Sequence, residues 1–154
     1  MRFWPLVLAL PLGLSSCGDK SAVSLTVVLE QATVTAQDGP LGAALGGGFE
    51  LEFSLGPEAS GSTTVTLGSF AVQNASGAAL VDPVEVIASG ASFPLVIDKG
   101  KSQAVTFTLS PKTLKPADRD ALCAGQVKIV GTVMDSLKGG TDAVRSELLT
   151  PACS

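Results

Sequence analysis

The segment from Phe49 to Leu55 constrains this chain more than any other. Phe49, Leu51, Phe53 and Leu55 alternate with Glu50, Glu52 and Ser54. Only a strand sends every second side chain to one face, and a one-residue slip would drive two carboxylates into the core. The same period recurs along the chain. Val23, Leu25, Val27 and Leu29 alternate with Ser24, Thr26, Val28 and Glu30, which predicts a half-buried strand running on towards Thr35. Thr63 to Leu67 places Val65 and Leu67 inward. Phe70 and Val72 continue that run on even numbers, so Gly68-Ser69 is expected to form a bulge. Shorter strands are expected at Val84, Val86 and Ala88, at Phe93, Leu95 and Ile97, and at Val105, Phe107 and Leu109.

Turn residues punctuate these runs. Gln37-Asp38-Gly39-Pro40, Gly56 to Ser62, Asn74 to Gly77 and Asp98-Lys99-Gly100 read as turns or loops, and the glycine- and alanine-rich stretch Gly42 to Gly48 reads as irregular. The one helix candidate lies within Pro111 to Leu122. There Pro116 suits a first turn, Asp118 and Asp120 suit an amino-terminal end, and Gly125 can follow the stop. A final hairpin is expected about Ser136 to Thr141, with Val133 opposite Val144 and Ile129 opposite Leu148, so that apolar meets apolar. Roughly seven or eight strands, short connections and no βαβ spacing predict an all-β fold, a two-sheet antiparallel β-sandwich.

The layout resembles the immunoglobulin-like and fibronectin-like group. A short helical turn before the penultimate strand falls where many such domains carry one. Asp120-Ala121-Leu122-Cys123 is similar to the aspartate, alanine, tyrosine, cysteine pattern leading into the sixth strand of antibody-type domains. Leu122 stands in the tyrosine's place and the second strand has no cysteine, so the resemblance is one of architecture.

The chain opens with Arg2, an apolar run from Phe3 to Leu14, and the small residues Ser15 and Ser16 before Cys17. This is the pattern of a signal peptide, and the run is shorter than the roughly 20 residues a spanning helix needs. Leu14-Ser15-Ser16-Cys17 resembles the lipobox of bacterial lipoproteins. The resemblance implies removal of residues 1–16, lipid on Cys17, a tether over 17–22 and a sandwich domain over 23–154 in the cell envelope. Gly18, rather than aspartate, follows the cysteine, which by the same resemblance implies outer-membrane sorting in a host with two membranes.

Loss of the signal peptide leaves 138 of the 154 residues, one domain by length. Arg2 is the only charge lost, so nine basic and fourteen acidic side chains remain, formally −5. No basic cluster offers a nucleic-acid footprint, and the lipid is left as the membrane attachment. The sequence has no histidine and no tyrosine, and its single tryptophan, Trp4, lies in the signal peptide. That excludes Ser-His-Asp and Cys-His nucleophile systems and histidine-based metal sites, and leaves phenylalanine alone for stacking on a ligand.

Few residues invite chemistry. Asp135, Asp142 and Glu147 flank the last turn without the spacing of a calcium loop and read as solvated carboxylates. Gly46-Gly47-Gly48 neither opens a helix nor precedes a Lys-Ser pair, so it is not a phosphate cradle. Glu50 and Glu52, and the threonines 63, 64, 66, 106 and 108, read as an outward polar surface. With Cys17 lipidated, Cys123 and Cys153 remain in an oxidising compartment, and the expected hairpin sets Cys153 opposite Ala124. A Cys123–Cys153 disulfide stapling that hairpin is expected. No catalytic residue, cofactor or metal is expected. The expectation is a non-catalytic envelope lipoprotein that binds or scaffolds another envelope protein, with a small-molecule or carbohydrate-binding module as the alternative.

Overall fold

A computed structural model describes residues 23–154; the expectations for residues 1–16, for Cys17 and for the tether 17–22 lie outside them. The strands are β1 (Leu25–Gly39), β2 (Gly42–Leu55), β3 (Thr63–Asn74), β4 (Ala79–Val84), β5 (Val86–Ser89), β6 (Leu95–Ile97), β7 (Ser102–Leu109), β8 (Lys112–Thr113), β9 (Val127–Asp135), β10 (Gly140–Arg145) and β11 (Ala152–Cys153). They form two sheets. The first runs β11-β1-β2-β7-β5 with β8 beside β2, and the second runs β10-β9-β3-β4 with β6 beside β3. The all-β two-sheet sandwich is therefore the architecture of the described residues. All pairings are antiparallel except β11 on β1. The one helix among the described residues, α1 (Pro116–Cys123), has proline in its first turn and buries Leu122.

Alternation decides what is inside. Phe49, Leu51, Phe53 and Leu55 are all buried, as are Val105, Phe107 and Leu109 on the neighbouring β7. The five phenylalanines of the described residues form one chain of ring contacts across the sandwich. Phe49 stacks on Phe107 at 5.1 Å and tilts against Phe70 of the other sheet at 5.2 Å. Phe93 joins Phe107 at 5.7 Å and Phe53 at 6.1 Å. Such pairs add about 0.5–1.5 kcal/mol each beyond the area they bury. The expected bulge is present: pairing of β3 with β9 shifts register between Leu67 and Phe70.

Several expectations are corrected. Gly42 to Gly48 is not irregular but the first half of β2, paired with β1. Glycine is needed there for close approach. A Cβ on Gly47 would lie 2.2 Å from the Thr33 carbonyl oxygen, and one on Gly48 would lie 2.4 Å from that of Phe107. Strand β1 does not keep one parity: it bulges between Glu30 and Thr33, with Gln31 at φ 52°, and the buried set changes from Leu25 and Leu29 to Val34 and Ala36. Val84 and Val86, read as one strand, belong to β4 and β5 in different sheets.

The final hairpin is shifted by two residues. Val144 lies opposite Gly131 and Val133 opposite Asp142, while Asp135 closes the turn against Gly140. Faces are preserved, because a two-residue shift keeps parity. The turn, not apolar matching, closes in this register: the Asp135 carbonyl accepts the Gly139 N–H at 3.0 Å, and its Oδ1 accepts the N–H groups of Leu137 and Lys138. Beyond Arg145 the ladder breaks. The Ser146 hydroxyl accepts the Ile129 N–H at 2.9 Å, and Leu149 pairs with Val127. Leu148 is consequently 46% exposed instead of facing Ile129.

Candidate docking face

The cysteine pair is brought together by a route the sequence did not suggest. Cys123 ends α1, and Cys153 sits on β11, whose partner is β1 of the first sheet. The two cysteines lie at disulfide distance, with Cα atoms 6.2 Å apart and a sequence separation of 30. The link would join the helix to the edge of the first sheet, so it does not staple the β9–β10 hairpin. Backbone bonds hold β11 as well: Asp38 N–H donates to the Ser154 carbonyl at 2.7 Å and Ser154 N–H to that of Ala36 at 3.1 Å.

Asp135 and Thr63 are not surface groups. Both are buried, Asp135 at 3% exposure and Thr63 at 0%. The Asp135 Oδ1 accepts from the Thr63 hydroxyl at 2.8 Å and from the backbone N–H groups of Leu137 and Lys138 at 2.8 and 3.0 Å. Ser136 adds its hydroxyl to the Thr64 N–H at 2.8 Å. A short polar side chain thus replaces the missing backbone bonds of a tight turn and ties it to β3. Asp142 pairs with Lys138, and that hydrogen bond holds the Lys138 ammonium above the ordinary lysine pKa. Glu147 is exposed, and no group of metal-ligating side chains occurs among the described residues.

The remaining candidates stay dispersed. Glu50 faces outward opposite Glu30, with the Gln31 amide donating to it at 3.4 Å, and Glu52 lies opposite Val28. Thr106 and Thr108 are exposed on β7 of the first sheet, whereas Thr64 and Thr66 lie on β3 of the second.

What sequence reasoning passed over lies on the outer face of the second sheet. A hollow of about 600 Å³ crosses β10, β9, β3 and β4 beside the β3 bulge. Ala71 lies in its floor, Gln73 and Thr132 offer polar groups, Lys128 and Arg145 line the β9–β10 side, and Asp82 lines the β4 side. Arg145 pairs with Val130, two residues beyond Lys128, so the two cations are diagonal neighbours. Ion pairs among the described residues engage Arg119 with Asp38 and Asp120, and Lys138 with Asp142; neither Lys128 nor Arg145 enters one. A second hollow, of about 540 Å³ between α1 and the β1–β2 turn, also holds an arginine, but there Arg119 is already met by Asp38 at 3.1 Å. The signal for Lys128 and Arg145 was present in the sequence: each occupies an outward position between buried residues of the final hairpin.

Among the described residues no helix is long and apolar enough to cross a membrane. Set against known proteins, the chain matches no family model, no curated protein and no solved structure.

Proposed function

We propose that this chain is a lipid-anchored, non-catalytic protein of the bacterial cell envelope whose immunoglobulin-like sandwich docks another envelope protein. The lipobox-like Leu14-Ser15-Ser16-Cys17 supports the anchor, and Gly18 supports an outer-membrane destination. Strand order supports the immunoglobulin-like reading. With the two- and three-residue β6, β8 and β11 and the edge strand β4 set aside, the first sheet holds the first, second, fifth and fourth of the remaining strands, and the second holds the seventh, sixth and third. This order is like that of a constant-type domain, with β4 as an added strand beside β3.

The observation that carries docking is the hollow on the second sheet, edged by two cations that enter no ion pair among the described residues, on a chain of acidic excess. An open depression on a sheet, with Ala71, Val130 and Ala143 in its lining and charged groups at its edges, suits recognition of a protein surface. The carbohydrate alternative has no comparable support, because all five phenylalanines of the described residues are committed to core ring contacts. Affinity purification of the tagged full-length protein from detergent-solubilised envelopes tests the reading. One partner should co-purify in stoichiometric amount, and its repeated absence after in-cell cross-linking overturns docking.

A further inference from the structure

Resting on that docking reading, we infer that the hollow on the second sheet takes an extended acidic segment, with carboxylates at alternate positions laid on Lys128 and Arg145. Three observations converge. The two cations sit on adjacent strands of one face, one diagonal step apart, and no carboxylate among the described residues neutralises either. Diagonal neighbours in an antiparallel pair are separated by about 7–8 Å, and residues two apart in an extended chain by about 6.5–7 Å. The cation spacing therefore matches side chains i and i+2 of a strand-like segment, which project from the same side. Asp82, on the opposite wall, repels the acid and confines it to the β9–β10 side. Between the walls, Gln73 and Thr132 present groups that can bond the segment's backbone.

The mature chain is formally −5, so an acidic ligand approaches against the overall charge. Binding then depends on the local pair and weakens as salt screens it over a Debye length of about 8–10 Å. Other exposed cations serve as the control. Lys99 and Lys101, in the segment joining β6 to β7, lie outside the hollow's lining.

Fluorescence anisotropy decides the matter, using a capped, dye-labelled peptide of alternating threonine and glutamate and the detergent-solubilised full-length protein. Saturable binding at low salt is expected, weakened at least tenfold by K128E/R145E, unchanged by K99E/K101E, and lost progressively with added salt. No saturable binding, or equal weakening by both variants, overturns the inference. So does equal competition by inorganic phosphate, which would mean that the pair reads charge and not an extended segment. The two readings fail separately. If K128E/R145E still recovers the wild-type partner from envelopes, the acidic-segment inference falls and docking stands. If wild type recovers no partner, docking falls and the peptide titration alone decides this inference.

Discussion

Replacing Gly131 by alanine is the sharpest probe of the observed packing. In an exposed strand the change would be neutral or mildly stabilising, because it restricts the unfolded chain by about 0.4–1 kcal/mol. Here the new Cβ would stand 2.2 Å from Cδ1 and 2.3 Å from Cε1 of Phe70. Carbon atoms need about 3.5 Å, so the ring must retreat by about 1.3 Å. It has little room: Phe70 is 2% exposed and abuts Phe49, which is itself stacked on Phe107. Overpacking of this kind costs about 1–3 kcal/mol, and with the neighbouring Phe49 ring held by Phe107 the upper end is expected. For a domain of this size, 3 kcal/mol corresponds to a fall in Tm of about 10 °C. Urea denaturation of wild type, G131A, F70L and the double variant measures it. The double-mutant cycle should show a coupling of at least about 1 kcal/mol, because leucine vacates the space the methyl needs. A G131A protein as stable as wild type would show that Phe70 does not cover Gly131, and would refute the Phe70–Gly131 register between β3 and β9.

Three further outcomes are expected. Non-reducing peptide mapping of protein from its native compartment should find the Cys123 and Cys153 peptides linked. Breaking the link by C123S/C153S should cost roughly 3–4 kcal/mol for a loop of this length, whereas complete alkylation of both thiols without reductant would exclude the bond. Asp135→Ala removes the acceptor shared by the Thr63 hydroxyl and the N–H groups of Leu137 and Lys138, leaving Leu137 only the longer bond to Thr63 Oγ1 at 3.2 Å, and should cost about 2–3 kcal/mol, while Asp135→Asn keeps the acceptor and should cost about 1 kcal/mol; equal losses by urea denaturation would contradict the three-donor arrangement. NMR titration should place the Lys138 ammonium above its ordinary value, and D142N should lower it, because the Asp142 hydrogen bond is the main cause of the rise. Since the folded-state pKa is raised, the pair's small contribution is present below 10.5 and lost as pH climbs through the folded value.

Much of the fold was legible because burial obeys a period of two wherever large apolar residues alternate with charge. Phe49 to Leu55 left no choice of face, and the parity change at Gly68-Ser69 announced its bulge. The same rule failed where the informative residue was small. Ala43 and Leu45 continue the odd-numbered buried set of β2, but the surrounding glycines carry little strand propensity and masked the strand. The bulge at Gln31 replaced one inward set with another and left no glycine to mark it. Matching apolar pairs in the last hairpin chose the right faces and the wrong register, since the turn closes through Asp135 and its backbone donors, which apolar matching does not see. Asp135 and Thr63 read as solvated side chains, and their burial follows from a turn whose backbone donors need an internal acceptor. The docking face was the least legible part. Lys128 and Arg145 are single charges in separate strands, and only the register makes them neighbours.

The central claim, a lipid-anchored envelope domain, is tested most directly by intact-mass measurement of the full-length protein extracted from membranes, alongside Cys17→Ser. The account predicts a mature chain beginning at Cys17 and heavier than its polypeptide by the mass of acyl groups, two or more chains being needed for stable attachment. In the serine variant that added mass should vanish and an uncleaved or aberrantly cut precursor should accumulate. An unmodified Cys17, or a mature chain beginning at another residue, would contradict the account.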